Sequence, residues 1–96
     1  MITINKKIKS IGNYEEVPCG IQMTFENGNT ISIQFGYGNY CNNIEESKES
    51  SETAEIAMWN KNKVWYGGYG NGDEVIGWCS ADEVAKWISF CANNRW

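Results

Sequence analysis

Three stretches in the first sixty positions alternate apolar and polar residues, the two-residue period of strands with one buried face. In the first, Ile2, Ile4 and Ile8 share a side, with Thr3, Asn5 and Lys7 between them. Lys6 interrupts the apolar row, which predicts a strand lying at a sheet edge or bending there. Ile11–Gly20 holds the turn-prone pair Gly12-Asn13 and the sole proline, Pro18, and reads as a connection. The second stretch predicts a hairpin. Ile21, Met23 and Phe25 alternate with Gln22, Thr24 and Glu26, and Ile31, Ile33 and Phe35 alternate with Ser32 and Gln34. Opposed residues share a face, so a two-residue Asn27-Gly28 loop, which sets Phe25 against Thr30, is disfavoured. A three-residue loop, Asn27-Gly28-Asn29, pairs Phe25 with Ile31, Met23 with Ile33 and Ile21 with Phe35, with Asn29 taking the left-handed position.

The third stretch places Ala54, Ile56 and Met58 on one face and Glu55, Ala57 and Trp59 on the other. A turn at Asn60–Lys63 returns the chain through Val64–Tyr66. A loop Asn60–Asn62 pairs Met58 with Val64 and Ile56 with Tyr66, placing Trp59 and Trp65 together on the second face, which is either an aromatic surface or a second buried face. Val75–Trp78 is a short apolar strand. Then the period changes: Val84, Trp87, Ile88 and Cys91 follow the i, i+3, i+4, i+7 spacing of a helix. Ser80 and Glu83 form a capping box at its start, Asp82 suits its positive end, and Asn93-Asn94 ends it in a left-handed turn. The expected fold is α+β: one domain over residues 1–96, an antiparallel sheet of about five short strands with one C-terminal helix on a face. Truncation before Ser80 is expected to unfold it.

Between these elements the tetrapeptide Gly-Tyr-Gly-Asn occurs twice, at Gly36–Asn39 and Gly68–Asn71, each time after an aromatic-rich strand. Glycine allows close backbone approach and tyrosine offers flat amphipathic surface, so two such loops suit one binding face. Five Trp, five Tyr and three Phe exceed what one small core encloses, which also points to an interaction surface.

Charge sharpens this picture. The net charge of −4 resides in Glu45–Glu55, which carries five Glu and one Lys; elsewhere seven basic residues balance seven acidic ones. This segment belongs to a polar loop over about residues 40–53, with room for one helical turn at Ile44–Lys48. Only Lys6, Lys7 and Lys9 cluster as a basic group, which argues against direct nucleic-acid binding. Instead, an acidic loop suits a basic surface on a protein partner.

Catalysis finds little support. The chain has no histidine, and Cys19, Cys41, Cys79 and Cys91 are 22, 38 and 12 positions apart, without C-x-x-C spacing. No mixed zinc site, activated nucleophile or cofactor motif follows. In Gly68-x-Gly70-x-Gly72, Asp73 and Glu74 bring negative charge where phosphate would sit. The cysteines read as free thiols of a cytoplasmic protein, with Cys91 in the core and Cys41 the most accessible; an exported chain would instead allow two disulfides in any of three pairings. No segment resembles a secretion signal or a membrane span.

Ile31–Asn43, Thr53–Trp59 and Val75–Ile88 resemble segments of small accessory proteins encoded by phages and prophages. Many of those inhibit bacterial immunity, as anti-CRISPR proteins or as binders of cyclic nucleotide signals. The resemblance implies stoichiometric binding in the bacterial host cell and carries over no residue-level role. The expectation is therefore a non-enzymatic inhibitor of a defence effector, such as a nucleic-acid-binding nuclease, with no cofactor. Glu45, Glu46, Glu49 and Glu52 would meet its basic groove. Tyr37, Tyr40, Trp65 and Tyr69 would supply anchors, with Asn39 and Asn71 beside them. The alternatives are a small-ligand binder, holding a nucleotide-like molecule between the two glycine loops, and a phage structural or assembly component. Self-association as a homodimer is compatible with each.

Overall fold

Five strands pair in chain order in the computed structural model, which describes residues 1–7, 17–36, 39–42 and 50–96. They are β1 (Ile2–Lys7), β2 (Val17–Thr24), β3 (Thr30–Gln34), β4 (Thr53–Trp59) and β5 (Val75–Ser80), followed by the helix α1 (Ala81–Asn93). Every neighbouring pair is antiparallel, with β1 and β5 outermost. The helix packs on β3, β4 and β5, and this is the expected α+β arrangement.

β1 is the edge strand that Lys6 predicted, and its pairing shifts register between Asn5 and Lys6. Val17–Gly20 belongs to β2 rather than to a connection. Pro18 is tolerated there because it pairs only with Lys6 of β1, at the irregularity, while pairing with β3 ends at Gly20. The expected helical turn at Ile44–Lys48 lies outside the described residues.

Both hairpins keep the expected loop length and parity but sit one residue from the expected place. In the first, the Phe25 amide donates to the Asn29 carbonyl, Met23 opposes Ile31 and Ile21 opposes Ile33. The loop is Glu26-Asn27-Gly28, and Gly28, with φ 86°, takes the left-handed position at no Cβ cost. Asn29 is thereby released for another task. Its side chain donates to the carbonyls of Cys91 (3.0 Å) and Asn94 (2.7 Å), and Asn27 also reaches Cys91 and Ala92. These two asparagines satisfy the orphan carbonyls at the helix end. Asn94 is accordingly extended (φ −127°, ψ 167°) and not left-handed, so the chain continues to Trp96.

In the second hairpin Asn60 opposes Val64, the loop is residues 61–63, and Lys63 takes the left-handed position at φ 62°. The return segment makes a single bridge, Trp59 to Trp65, instead of a strand. β5 already occupies β4 alongside Thr53–Ala57, leaving only the Trp59 end free for pairing. Asn60 organises this corner. Its side-chain oxygen accepts from the Asn62 and Val64 amides, and its nitrogen donates to the Trp96 main-chain oxygen at 2.7 Å.

The core lies between sheet and helix. Ile31, Ile33, Ala54, Ile56, Met58 and Cys79 face Cys91 of the helix, and Val84, Trp87 and Ile88 pack against that cluster half-buried. The capping box forms as read: Glu83 N–H donates to Ser80 Oγ (3.2 Å) and Ser80 N–H to Glu83 Oε1 (3.1 Å).

Candidate functional site

Alternation along β4 and β3 turns Glu55, Ala57 and Trp59, with Thr30, Ser32 and Gln34, to the face opposite the helix. The middle of this face is small, polar and buried, with Thr30, Ser32 and Ala57 only 7–8% exposed, and exposed rings stand at its two ends. At one end the rings of Trp59 and Trp65 stack at 5.2 Å and 29°. At the other, Tyr40 and Trp78 stack at 5.6 Å and 25°. Trp59 and Glu55 are four residues apart on β4, so the two ends are separated by roughly 13 Å. Tyr40, Trp65 and Trp78 are 51%, 43% and 54% exposed, too much for core packing to explain their placement.

The Tyr40–Trp78 end is held by backbone. Between Ala54 and Ile56 the pairing with β5 is irregular, so Glu55 alone faces Gly77 and Trp78. Trp78 sits at φ 51°, a left-handed conformation unfavourable for a bulky residue. Its amide donates to the Tyr40 carbonyl at 2.8 Å, while the Tyr40 amide donates to Glu55 Oε2 at 2.8 Å. Gly77 permits the approach, since a Cβ there would lie 2.5 Å from Tyr40 Cβ. Just beyond, Asn42 and Thr53 clasp the base of the acidic loop: Asn42 N–H donates to Thr53 Oγ1, which donates to Asn42 Oδ1, both at 2.9 Å.

The residues expected to form the site are distributed differently. Tyr40 and Trp65 are exposed on the face opposite the helix. Tyr69 is not, because it packs edge-on against Trp87 (4.9 Å) and Tyr66 (5.0 Å) on the helix side. Its hydroxyl is buried, and burial raises its pKa. Asn39 is buried and donates to the Phe35 carbonyl at 2.8 Å. Asn71 is exposed but braces its own turn, donating to the Val75 carbonyl and accepting from the Asp73 amide. Glu52 is exposed, whereas Tyr37, Glu45, Glu46 and Glu49 lie outside the described residues. Tyr40, which follows the first repeat, and Tyr69, inside the second, thus serve opposite faces of the sheet. The first glycines of the two copies differ too: Gly36 is left-handed at 88°, whereas Gly68 is not. Identical tetrapeptides differ because Asn39 is drawn inward while Asn71 stays at the surface.

Cys41 is not accessible as expected. It is 1% exposed, with Sγ accepting from the Gly36 amide at 3.2 Å. Burial raises the thiols of Cys79 and Cys91 to about 11. Among the described residues no three His, Cys, Asp or Glu side chains converge as metal ligands, and no helix is long and apolar enough to cross a membrane. A depression of about 340 Å³ lies beside α1, lined by Glu83, Lys86, Trp87 and Phe90, away from the face opposite the helix.

Sequence reasoning omitted Trp59 and Trp78 from the site. Trp59 had its signal, the alternation that set it beside Trp65. Trp78 had none, because its orientation depends on a strand irregularity that apolar patterning does not encode.

Compared with known proteins, the chain matches no family model, no curated protein and no solved structure.

Proposed function

We propose that the chain is a non-enzymatic binding protein that docks a protein partner on the exposed rings of the face opposite the helix, and that it inhibits a bacterial defence effector by stoichiometric occlusion. The observation that supports this reading is the pairing of exposed rings at both ends of the face opposite the helix. Trp and Tyr are the residues that anchor protein interfaces when they fill a partner's pockets. The net charge of −4 suits a basic partner surface, such as the groove of a nucleic-acid-binding nuclease in the host cytoplasm. The acidic segment Glu45–Glu55 would steer the encounter and the rings would set its lifetime.

The test is inhibition of purified defence nucleases, with association and dissociation measured at two ionic strengths. Trp65→Ala with Trp78→Ala should abolish inhibition and speed dissociation while the fold persists. Neutralising Glu45, Glu46, Glu49 and Glu52 should slow association and flatten its salt dependence. A double tryptophan variant that inhibits as well as the parent would remove the face opposite the helix as the docking surface. Protein that purifies with a bound nucleotide would instead establish the small-ligand reading.

A further inference from the structure

The exposed Tyr40–Trp78 corner, at one end of the face opposite the helix, combines three features that together select a partner group. The first is a flat aromatic platform. Two near-parallel rings, each about half exposed, present ring surface to whatever approaches the face. The second is enforced presentation. Trp78 is held out on left-handed backbone at φ 51°, and its amide is tied to the Tyr40 carbonyl at 2.8 Å. Gly77 is the residue that lets Tyr40 come so close. Strained backbone under an exposed ring needs a reason beyond packing, since this ring contributes nothing to the core cluster. The third is a fixed carboxylate. Glu55 faces the Gly77–Trp78 irregularity, and the Tyr40 amide holds one of its oxygens at 2.8 Å. Among the described residues Glu55 has no cationic partner within ion-pair distance, so its charge is available to an incoming group.

From this geometry we infer that the Tyr40–Trp78–Glu55 corner receives an arginine side chain of the protein partner. The inference rests on the docking reading of the face opposite the helix and specifies its chemistry. A guanidinium is planar and weakly hydrated, stacks on aromatic faces, and directs N–H groups in its own plane toward a carboxylate beside the ring. A lysine ammonium satisfies the charge but is a strongly hydrated point that gains less from a flat platform. A nucleobase would stack as well, but its phosphates would meet Glu55 and a chain of net charge −4.

The experiment uses the full chain with a fluorescent hexa-arginine peptide, compared with hexa-lysine and with an oligothymidylate. Hexa-arginine should bind saturably and about fivefold tighter than hexa-lysine, the scale of one exposed cation–π contact. Trp78→Leu and Glu55→Gln should each weaken it about fivefold, with Trp78→Phe intermediate and Glu26→Gln, a distant acidic control, unchanged. If Trp78→Leu fails to fold, Tyr40→Leu and Glu55→Gln carry the comparison. Equal binding of both peptides, unaffected by these changes, would mean diffuse charge attraction and overturn the inference. Binding of the oligothymidylate in preference to hexa-arginine would overturn it too. If the arginine peptide does not bind while Trp65→Ala with Trp78→Ala still abolishes inhibition, the arginine assignment alone fails. If that double variant inhibits like the parent, the docking reading fails with it.

Discussion

The thiols Cys41, Cys79 and Cys91 are each no more than 1% exposed, although cysteine is small enough to sit anywhere on a sheet. Cys41 is held by the Gly36 main chain, and Cys79 and Cys91 belong to the core between sheet and helix. A thiol reagent should therefore label these three slowly in the native protein and completely after denaturation. Rapid native labelling of Cys41, read by mass spectrometry of its peptide, would show that the Gly36–Asn42 turn opens readily. Alkali provides a second test. Burial holds Cys79 and Cys91 protonated to about 11, with the Glu83 carboxylate adding to the effect at Cys79. An unfolded thiol ionises near about 8.5. The stability contributed by the neutral thiols is complete below that value and is lost as pH rises through about 11. The melting temperature should fall between about pH 9 and 11, and less steeply in Cys79→Ala or Cys91→Ala. An unchanged slope in both variants would assign the alkaline loss to other groups.

At the scale of elements, the helix is fixed at both ends by side chains of different origin. Its start is local: Ser80 and Glu83 cap each other's backbone within one turn. Ser80→Ala should cost about 1 kcal/mol in chemical denaturation. Its end is tertiary. Asn27 and Asn29, more than sixty residues earlier in the chain, donate to the carbonyls of Cys91, Ala92 and Asn94. Asn29→Asp conserves shape but replaces the donating amide with a carboxylate beside carbonyl oxygens and the negative helix end. It should cost about 1–3 kcal/mol, more than Ser80→Ala, because Asn29 is buried and the abandoned Cys91 carbonyl has only Asn27 left. A smaller loss for Asn29→Asp than for Ser80→Ala would mean that the hairpin turn merely touches the helix.

At the scale of the whole molecule, the rings of the described residues divide by face, and that division separates stability from recognition. Phe25, Phe35, Tyr66, Tyr69, Trp87, Phe90 and Trp96 pack against the core from the helix side. Tyr40, Trp59, Trp65 and Trp78 form the stacked pairs opposite. Trp87 makes ring contacts with Tyr66, Tyr69 and Phe90, so Trp87→Ala should cost about 3 kcal/mol, discounted for its partial burial. Trp65→Ala should cost far less, because its ring is 43% exposed and outside the core cluster. Equal losses in thermal melts of the two variants would contradict the division. Removing Ser80–Trp96 should leave no cooperative transition, since it bares Ile31, Ile33, Ile56 and Met58 at once.

The sequence alone determined which residues share a face. Period two in Ile21–Phe35 and Ala54–Trp59, period 3.6 from Val84 to Cys91, and the Ser80–Glu83 box are local regularities, and each reappears in the fold. Parity survived even where both hairpin loops moved by one residue, because moving the loop along both strands keeps inward residues inward. Tertiary structure decided the offset itself. Gly28 takes the left-handed position in the first turn, and Asn29 is then drawn to carbonyls at the far end of the chain. The same holds for the repeated Gly-Tyr-Gly-Asn. Its residues are identical in both copies, but one asparagine is buried and bonded to the Phe35 carbonyl while the other braces a surface turn, because their surroundings differ. Trp78 is the clearest case. Its sequence neighbours describe a short apolar strand, whereas its exposed ring depends on Glu55, Gly77 and Tyr40 meeting at one irregularity between β4 and β5. No window of neighbouring residues contains that meeting, since it is made by groups brought from three separate segments of the chain.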